Sequence, residues 1–516
     1  MARDSSVEGF SKWRAFFWPV HRHELKKLIP MLCIFFLLFF DYNTLRCLKD
    51  TLVVTAKGSG AEVIPFIKVW VMFPMSIVLT WIFIKLSNKF QREYVFYIIL
   101  SAFICFFISF ALFLYPYREQ LHCHQFANQL SNWLPQGCWG FIQMLRYWSF
   151  TLFYVISELW GNIIIFLLFW GFANQSTKIH EAKRFYGLFG VGINISGIAA
   201  GQCSILATKW SQYFQKGTTS IANWETSLLW LLSIVVGTAL IAMALFYYLN
   251  RLLQRNPTLT EQSVSAKKKT KPQFSMRENI RYLFSSRYML CLVLIVVTYN
   301  IVINLVEIMW KHSLRELYPD PTLYNLFMNK VTIWTGISAT LASFFISGNS
   351  LRIFGWTKTA LITPIILSLT SVGFFLSFFL KTSSFMPETL GSLSLLQWVV
   401  FFGTLQNCCS RAAKYTVFDE TKEIAFIPLS YEEQVKGKAA VDGICTRLGK
   451  SGGSIIYQGL FLFCSTIAAS APYVSIILIS MLGIWIAAAR DLGKQFQSRT
   501  EEAKQLENET LVSVSS

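Results

Sequence analysis

The chain is dominated by apolar runs of about 20 residues that are separated by short polar segments. A bilayer core of roughly 30 Å is crossed by a helix of this length, because each residue adds about 1.5 Å of rise. The composition agrees, since 54% of the residues are hydrophobic, only 14% are charged and 46 are Phe. We therefore predict an all-α polytopic membrane protein.

The apolar runs predict twelve transmembrane helices. Their expected limits are residues 28–50, 63–86, 94–115, 142–172, 185–208, 225–249, 287–310, 324–347, 357–380, 391–410, 438–467 and 471–489. A polar, basic linker at 250–286 divides them into a six-helix bundle at 28–249 and a second at 287–489. Residues 1–27 read as an amphipathic arm along the interface and 490–516 as a tail, both cytoplasmic.

The distribution of positive charge sets the predicted orientation. A net charge of +18 would suggest nucleic-acid binding in a soluble protein. Here the basic residues cluster at the termini and the even-numbered connections, for example at Lys89, Arg92 and Lys267. Cytoplasmic loops of membrane proteins are enriched in Lys and Arg, so these segments are placed inside and no nucleic-acid partner is expected.

Charged residues inside the first and fourth spans point to an aqueous cavity. Asn43, Arg46 and Lys49 recur every third residue, on one face of the first helix. Glu158 lies near the middle of the fourth span, where a carboxylate costs at least about 2.5 kcal/mol. Such a group should face the bundle interior, either as part of a functional site or in a structural ion pair with Arg46 or Arg146.

The fifth, seventh and eighth spans carry further polar residues. Asn300, Asn304, Glu307 and Lys311 share one helical face of the seventh span. Glu307 and Lys311 could also simply pair with each other at i,i+4. Lys330 is a further candidate cation, and Asn194 is an amide that could read the edge of a nucleobase.

The eleventh span brings two cations into the membrane, Arg447 and Lys450, one turn apart. The surrounding sequence is not a P-loop, because five residues separate Gly443 from Gly449 where that motif has four, and no strand precedes it. Two cations at this depth require an anion.

The two bundles show weak internal similarity. Asp41-Tyr42-Asn43 matches Thr298-Tyr299-Asn300, while Lys183 and Ser196-Gly197 match Lys438 and Ser451-Gly452 at a nearly constant offset. This predicts parallel repeats related by an axis along the membrane normal.

The long outer loop contains two cysteines, Cys123 and Cys138, which we expect to form a disulfide if the loop faces an oxidising compartment. His122 and His124 flank Cys123, but the irregular spacing is poor for a metal site, so no metal is expected. No Walker A motif, HExxH motif or acidic metal cluster is visible, and an enzyme is not predicted.

Several runs resemble the ATP/ADP translocases, a nucleotide-transporter family of plastids and obligate intracellular bacteria. The resemblance covers nearly all of residues 10–495. It rests on the runs Leu48–Gly58, Phe169–Asn174, Asp419–Pro428, Lys436–Ala440 and Leu448–Gly453. It implies twelve helices in a major-facilitator-like fold of two six-helix halves, and exchange of external ATP for internal ADP without a cofactor. The family's intramembrane charges fall on Lys49, Glu158, Glu307 and Lys450.

The resemblance and the charges together predict a mechanism. Arg46, Lys49, Arg447 and Lys450 would bind the polyphosphate at the interface of the halves, which rock around it. Asn194, Asn300 and Tyr299 are candidate adenine or ribose contacts, and phosphate is a further possible substrate. The alternative is a proton-coupled nucleotide symporter, in which Glu158 and Glu307 would carry the proton. The absence of a transit extension favours the inner membrane of an obligate intracellular bacterium, and a monomer is expected.

Overall fold

The computed structural model describes residues 20–21, 24–177, 179–214, 220–255, 286–345, 349–383, 389–429, 433–434, 437–438, 441 and 445–515. Most of the predicted N-terminal arm and of the 250–286 linker lies outside the described residues, and so does the side chain of Lys183.

The first part of the chain forms nine helices in the described residues. They are α1 Leu25–Val54, α2 Val63–Lys89, α3 Arg92–Leu114, α4 Arg118–Leu121, α5 His124–Trp133, α6 Trp139–Arg146, α7 Trp148–Asn174, α8 Ile179–Phe214 and α9 Ser220–Arg255. Three of the long helices contain π-helical stretches, at Ile67–Met72 in α2, Phe110–Leu114 in α3 and Gly161–Phe169 in α7. Such stretches are frequent at functional sites.

The second part follows with seven helices and a small hairpin in the described residues. The helices are α10 Arg287–Leu317, α11 Pro321–Phe345, α12 Asn349–Thr382, α13 Leu395–Ala413, α14 Asp419–Ala425, α15 Thr446–Cys464 and α16 Ile467–Ser515. Strands β1 Thr389–Leu390 and β2 Leu393–Ser394 pair antiparallel, and Gly391 takes a positive φ of 70° in their turn. Ser394 then caps α13 in a capping box with Gln397. A π-helical stretch, Lys414–Phe418, joins α13 to α14.

Nine helices of the described chain are long and apolar enough to cross a membrane, which agrees with a multi-pass protein. They are α1, α2, α3, α7, α8, α9, α10, α12 and α16. Three other predicted spans correspond to α11, α13 and α15, which are 25, 19 and 19 residues long and more polar. The total of twelve crossings therefore stays a prediction.

The structure differs from the predicted boundaries at two places. The fourth span begins at Trp148 instead of residue 142, because the helix is interrupted at Tyr147, whose hydroxyl donates to the Lys57 carbonyl oxygen at 2.5 Å. The C-terminal tail is not a separate segment, since α16 continues without a break to Ser515.

The outer loop between α3 and α7 also differs from expectation. Cys123 and Cys138 are free thiols, so the predicted disulfide is wrong for this structure. Each cysteine precedes a different short helix, α5 or α6. His122 is buried and its Nε2 lies 2.8 Å from the Ser149 hydroxyl. Burial, helped by the neighbouring His124 and Arg118, lowers the pKa of His122 to about 4, so the ring is neutral near pH 7.

Helix α1 lies at the centre of the fold and contacts α7, α8, α9 and α11. Its Phe35 ring packs against Phe169 of α7 and Phe189 of α8, with centroids 4.6 and 5.0 Å away. At its start, Lys27 Nζ pairs with Glu181 at 2.8 Å. Burial of both groups makes this pair a fixed anchor between the first turns of α1 and α8.

Glycines allow α8 and α11 to approach each other closely. A Cβ atom at Gly336 would lie 2.8 Å from the carbonyl oxygen of Asn194, and one at Gly201 would lie 2.8 Å from that of Asn329. Small residues at helix contacts are the usual means of close packing in lipid. The same contact connects the two predicted bundles, since α8 belongs to the first and α11 to the second.

Candidate functional site

A cavity of about 600 Å³ lies at the centre of the helix bundle. Its walls come from α1, α2, α7, α8, α10, α11, α13, α15 and the π-helical stretch after α13. Nine of the ten predicted site residues line it: Arg46, Lys49, Glu158, Asn194, Tyr299, Asn300, Glu307, Arg447 and Lys450. Residues from both predicted bundles thus meet in one space.

Lys330 is the predicted site residue that the structure places elsewhere. Its side chain is exposed on α11 and does not line the cavity. The neighbouring Thr332 and Thr335 of the same helix do line it. Lys330 therefore lies on another face of α11 than the one turned to the site.

Lys49 is held by three groups on one side of the cavity. Its Nζ lies 3.2 Å from Glu158 Oε2 and 3.3 Å from Asp50 Oδ1, and it sits 3.8 Å from the centre of the Tyr154 ring. Two carboxylates and a ring face stabilise the ammonium group in a buried position. Glu158 thus has Lys49 as its partner, and neither Arg46 nor Arg146 forms an ion pair with it in the described chain.

Glu307 lies at the centre of a second group of charges. Its Oε1 is 3.0 Å from Lys311 Nζ and 4.0 Å from both Arg46 and Arg411. The predicted i,i+4 pair of Glu307 and Lys311 therefore forms, but it is part of a larger network. Asp50 joins the two groups, because its Oδ2 lies 2.8 Å from Lys311 Nζ. The network connects α1 with α10 across the two predicted bundles.

Four further cations line the cavity without a carboxylate partner in the described part of the chain: Lys68, Lys414, Arg447 and Lys450. Lys68 was not predicted, although it is one of two charged residues, with Lys85, inside the apolar run at 63–86. A charge within an apolar run was the available signal. Arg411 and Lys414 lie just beyond the predicted end of the tenth span at residue 410 and were also missed.

The cavity carries a large excess of positive charge. Among the described residues, eight cationic side chains line it, against two carboxylates, Glu158 and Glu307, which leaves a surplus of six positive charges. The cations are Arg46, Lys49, Lys68, Lys311, Arg411, Lys414, Arg447 and Lys450. A surplus of this size attracts a polyanion strongly. The guanidinium groups supply forked donors suited to phosphate oxygens.

Amide side chains border the same space. Asn43 Nδ2 donates to the Phe39 carbonyl and Asn300 Nδ2 to the Val296 carbonyl, each at 2.8 Å and one turn back in its own helix. Asn304 Nδ2 donates to the Lys450 carbonyl at 2.7 Å. The last bond fixes the backbone that carries Lys450 against α10.

Close packing of α10 and α15 supports this part of the site. A Cβ atom at Gly449 would lie 2.7 Å from Asn300 Cβ, and one at Gly453 would lie 3.0 Å from Asn304 Cβ. The two glycines are four residues apart and face the same helix. Their lack of a side chain brings Lys450 close to the polar face of α10.

The end of the bundle that carries the 55–62 turn is closed by contacts between α2 and α15. Gln458 Nε2 donates to the Pro65 carbonyl at 3.0 Å, and Gln458 Oε1 accepts from Trp70 Nε1 at 3.1 Å. The Phe66 and Phe461 rings stack with centroids 6.5 Å apart. These contacts join the predicted bundles beyond the charged site.

Within the described residues, no group of three His, Cys, Asp or Glu side chains is placed to hold a metal ion. The carboxylates of the site face cations instead of one another. The arrangement is chemically suited to binding an anion.

Comparison with known proteins gives consistent results. The family model described as TLC ATP/ADP transporter matches residues 3–496. ADP,ATP carrier protein 1 of Chlamydia trachomatis is 44% identical over 497 residues, covering 96% of this chain and 93% of the relative. The chloroplastic ADP,ATP carrier protein 2 of Arabidopsis thaliana is 42% identical, covering 94% and 77%.

Among solved structures, a D-xylose-proton symporter matches with a TM-score of 0.51 and 12% identity. The match covers 88% of this chain and 96% of the symporter. At this identity the likeness concerns the fold alone.

Proposed function

Because this chain belongs to the TLC ATP/ADP transporter family, whose members are carriers and not enzymes, we propose that it imports ATP in exchange for ADP. The observation that carries the proposal is the surplus of six positive charges in the central cavity. ATP and ADP are polyanions, and the family match supports them as the substrates.

In the proposed binding mode, Arg46 and Lys49 of α1 and Arg447 and Lys450 of α15 contact the polyphosphate. All four line the cavity, and α1 and α15 belong to different predicted halves. A phosphate chain between them would neutralise cations from both sides at once. Charge-assisted hydrogen bonds of this type are about twice as strong as neutral ones.

Alternating access of two six-helix halves is part of the proposal, and local geometry supports it. The side chains of Asn43 and Asn300 make the same bond to the carbonyl four residues earlier. The π-helical stretches at Gly161–Phe169 and Lys414–Phe418 also occupy related places in the chain. Matching irregularities in both parts are what an internal repeat produces.

Obligatory exchange follows from the charge of the empty site. Breaking a buried set of ion pairs typically costs about 3–5 kcal/mol, and cations without a partner in a closed cavity carry a penalty of the same kind. The closed intermediate is therefore reached only with an anion bound. A carrier that has released ATP inside returns after it binds ADP.

The carboxylates are assigned a supporting role. Glu158 lies 3.2 Å from Lys49 and Glu307 lies 3.0 Å from Lys311, so each orients a cation between transport cycles. The proton-coupled symporter is not favoured, because the relatives are named ADP,ATP carriers. We place the protein in the inner membrane of a bacterium as a monomer, with both termini in the cytoplasm.

The proposal is tested by uptake of labelled ATP into proteoliposomes that contain ADP. Lys450→Ala should abolish uptake, because it removes a cavity cation without a carboxylate partner in the described chain. Lys330→Ala is the matched control, since this exposed lysine lies outside the cavity, and it should transport like the wild type. Equal uptake by Lys450→Ala and wild type would refute the assigned site, and rapid wild-type uptake into vesicles without internal nucleotide would refute obligatory exchange.

A further inference from the structure

Tyr42 is an aromatic residue of the cavity wall that the charge network does not use. It lies on α1, one turn before Arg46, and its side chain is partly exposed to the cavity. The ring packs edge-on against Phe39, with centroids 6.2 Å apart. Its Cε2 would be only 2.8 Å from a Cβ atom at Gly161, so the glycine makes room for the ring.

The predicted repeat counterpart of Tyr42 is Tyr299, and its surroundings are different. The Tyr299 ring is stacked on Phe418 at 4.2 Å and meets Trp485 edge-on at 5.6 Å. The residue is only 4% exposed. Phe418 follows Tyr299 by the same number of residues as Gly161 follows Tyr42. A ring occupies this place in the second half, whereas a glycine occupies it in the first.

The difference between Gly161 and Phe418 at these matching positions decides which tyrosine ring can stack on a ligand. Tyr299 already has a stacking partner, so its ring face is taken by the protein. Among the described rings, Tyr42 has Phe39 as its aromatic contact, edge-on, and Gly161 lies beside the ring. Of the two tyrosines, Tyr42 is the one that can offer a ring face to the cavity.

The position of Tyr42 along α1 matches the layout of a nucleotide. Tyr42, Arg46 and Lys49 are spaced four and three residues apart, which places them on one face of the helix. Seven residues of α-helix rise about 10 Å. This is the order of the separation between the base and the terminal phosphates of an extended nucleotide.

We propose that the Tyr42 ring is the stacking platform for the nucleobase of the transported nucleotide, with Gly161 as the residue that keeps it in place. The inference rests on the proposed function and adds the position of the base to that of the phosphates. An aromatic face stacks on any base, so Tyr42 supplies affinity for the base without choosing among bases. Choice among bases then depends on polar groups such as the Asn300 and Asn194 side chains.

Stacking on an aromatic side chain changes affinity by about tenfold to a hundredfold on truncation. Tyr42→Leu should therefore weaken ATP binding by at least about tenfold, because it keeps the bulk and removes the ring. Tyr42→Phe is the matched control and should bind ATP within about twofold of the wild type, since the ring is kept. Gly161→Ala should resemble Tyr42→Leu, because the added Cβ displaces the ring.

The experiment is displacement of labelled ATP from the purified full-length carrier by ATP and by inorganic tripolyphosphate, which has no base. The expected result is loss of ATP affinity in Tyr42→Leu and Gly161→Ala, with unchanged displacement by tripolyphosphate. Unchanged ATP affinity in Tyr42→Leu would overturn the proposal, as would an equal loss for ATP and tripolyphosphate, which would mean that Tyr42 acts through the phosphate site. A wild-type protein that binds neither compound would overturn the proposed function itself.

Discussion

Replacing Asp50 with asparagine removes the carboxylate that connects the two charge groups of the cavity wall. Asp50 is 1% exposed and lies 3.3 Å from Lys49 and 2.8 Å from Lys311. Breaking a buried pair usually destabilises a protein by about 3–5 kcal/mol. Here each lysine keeps one partner, Glu158 or Glu307, so we expect the lower end, a loss of about 3 kcal/mol.

The loss should be visible in thermal unfolding of the detergent-purified protein. With an unfolding entropy of about 2.1 cal/mol/K per residue, 1 kcal/mol corresponds to about 1 °C for a chain of 516 residues, so Asp50→Asn should lower the apparent Tm by about 3 °C. The double variant Asp50→Asn/Lys311→Gln removes both charges of the shortest pair. It should recover at least about half of the lost Tm, because residues in direct contact couple strongly.

Asp50 does not line the cavity itself, but it contacts Lys49 and Lys311, which do. The same variant should therefore also change ATP affinity measured well below the Tm, because residues in direct contact couple. A double variant less stable than either single variant would refute the assigned coupling. An Asp50→Asn protein with wild-type Tm would show that this carboxylate does not stabilise the junction of α1 and α10.

Two further predictions concern packing and pH. Gly449→Ala should destabilise the carrier by about 1–3 kcal/mol, because the new Cβ would lie 2.7 Å from Asn300 Cβ. Gly459→Ala on the same helix is the control, since its Cβ would meet nothing within 4 Å, and it should leave the Tm unchanged. Equal melting temperatures for the two variants would contradict the close packing. The pKa of His122 is about 4 in the folded protein and near 6.5 when unfolded, so the unfolded state binds more protons as the pH falls below 6.5. The free energy of unfolding should therefore drop by up to about 2 kcal/mol between pH 7 and pH 5. His122→Asn should remove this contribution, as measured by the Tm at a series of pH values. The same dependence of Tm on pH in both proteins would exclude His122 as the cause of the drop.

The sequence was sufficient to locate most of the charged site. Glu158, Glu307 and Lys450 were recognisable because a charge in an apolar run is costly and needs a reason. Lys68 breaks a run in the same way, but it is close enough to the start of the helix to be taken for a lysine that extends to the interface. Which face of α2 it occupies depends on helix packing, which the sequence does not display.

Other parts of the site depended on irregular structure. Arg411 and Lys414 were placed beyond the tenth span, because an apolar pattern cannot show that the helix continues through a π-helical stretch. The sequence also could not show which of Tyr42 and Tyr299 presents its ring to the cavity. Both lie in similar sequences, and only the tertiary contact with Phe418 shows that one ring is covered.

The π-helical stretch in α7 has a consequence for how this helix can vary. Glu158, Asn162 and Phe166 all line the cavity at intervals of four residues. A regular α-helix turns about 100° per residue, so a four-residue interval would drift around the helix, and the wider π turn cancels that drift. Removing a single residue between Gly161 and Phe169 would restore a regular α-helix, in which the seven remaining steps from Glu158 to Phe166 turn about 700°. The residues beyond would keep nearly the same face toward the cavity, so the π-helical stretch holds one extra residue without changing the lining on either side of it.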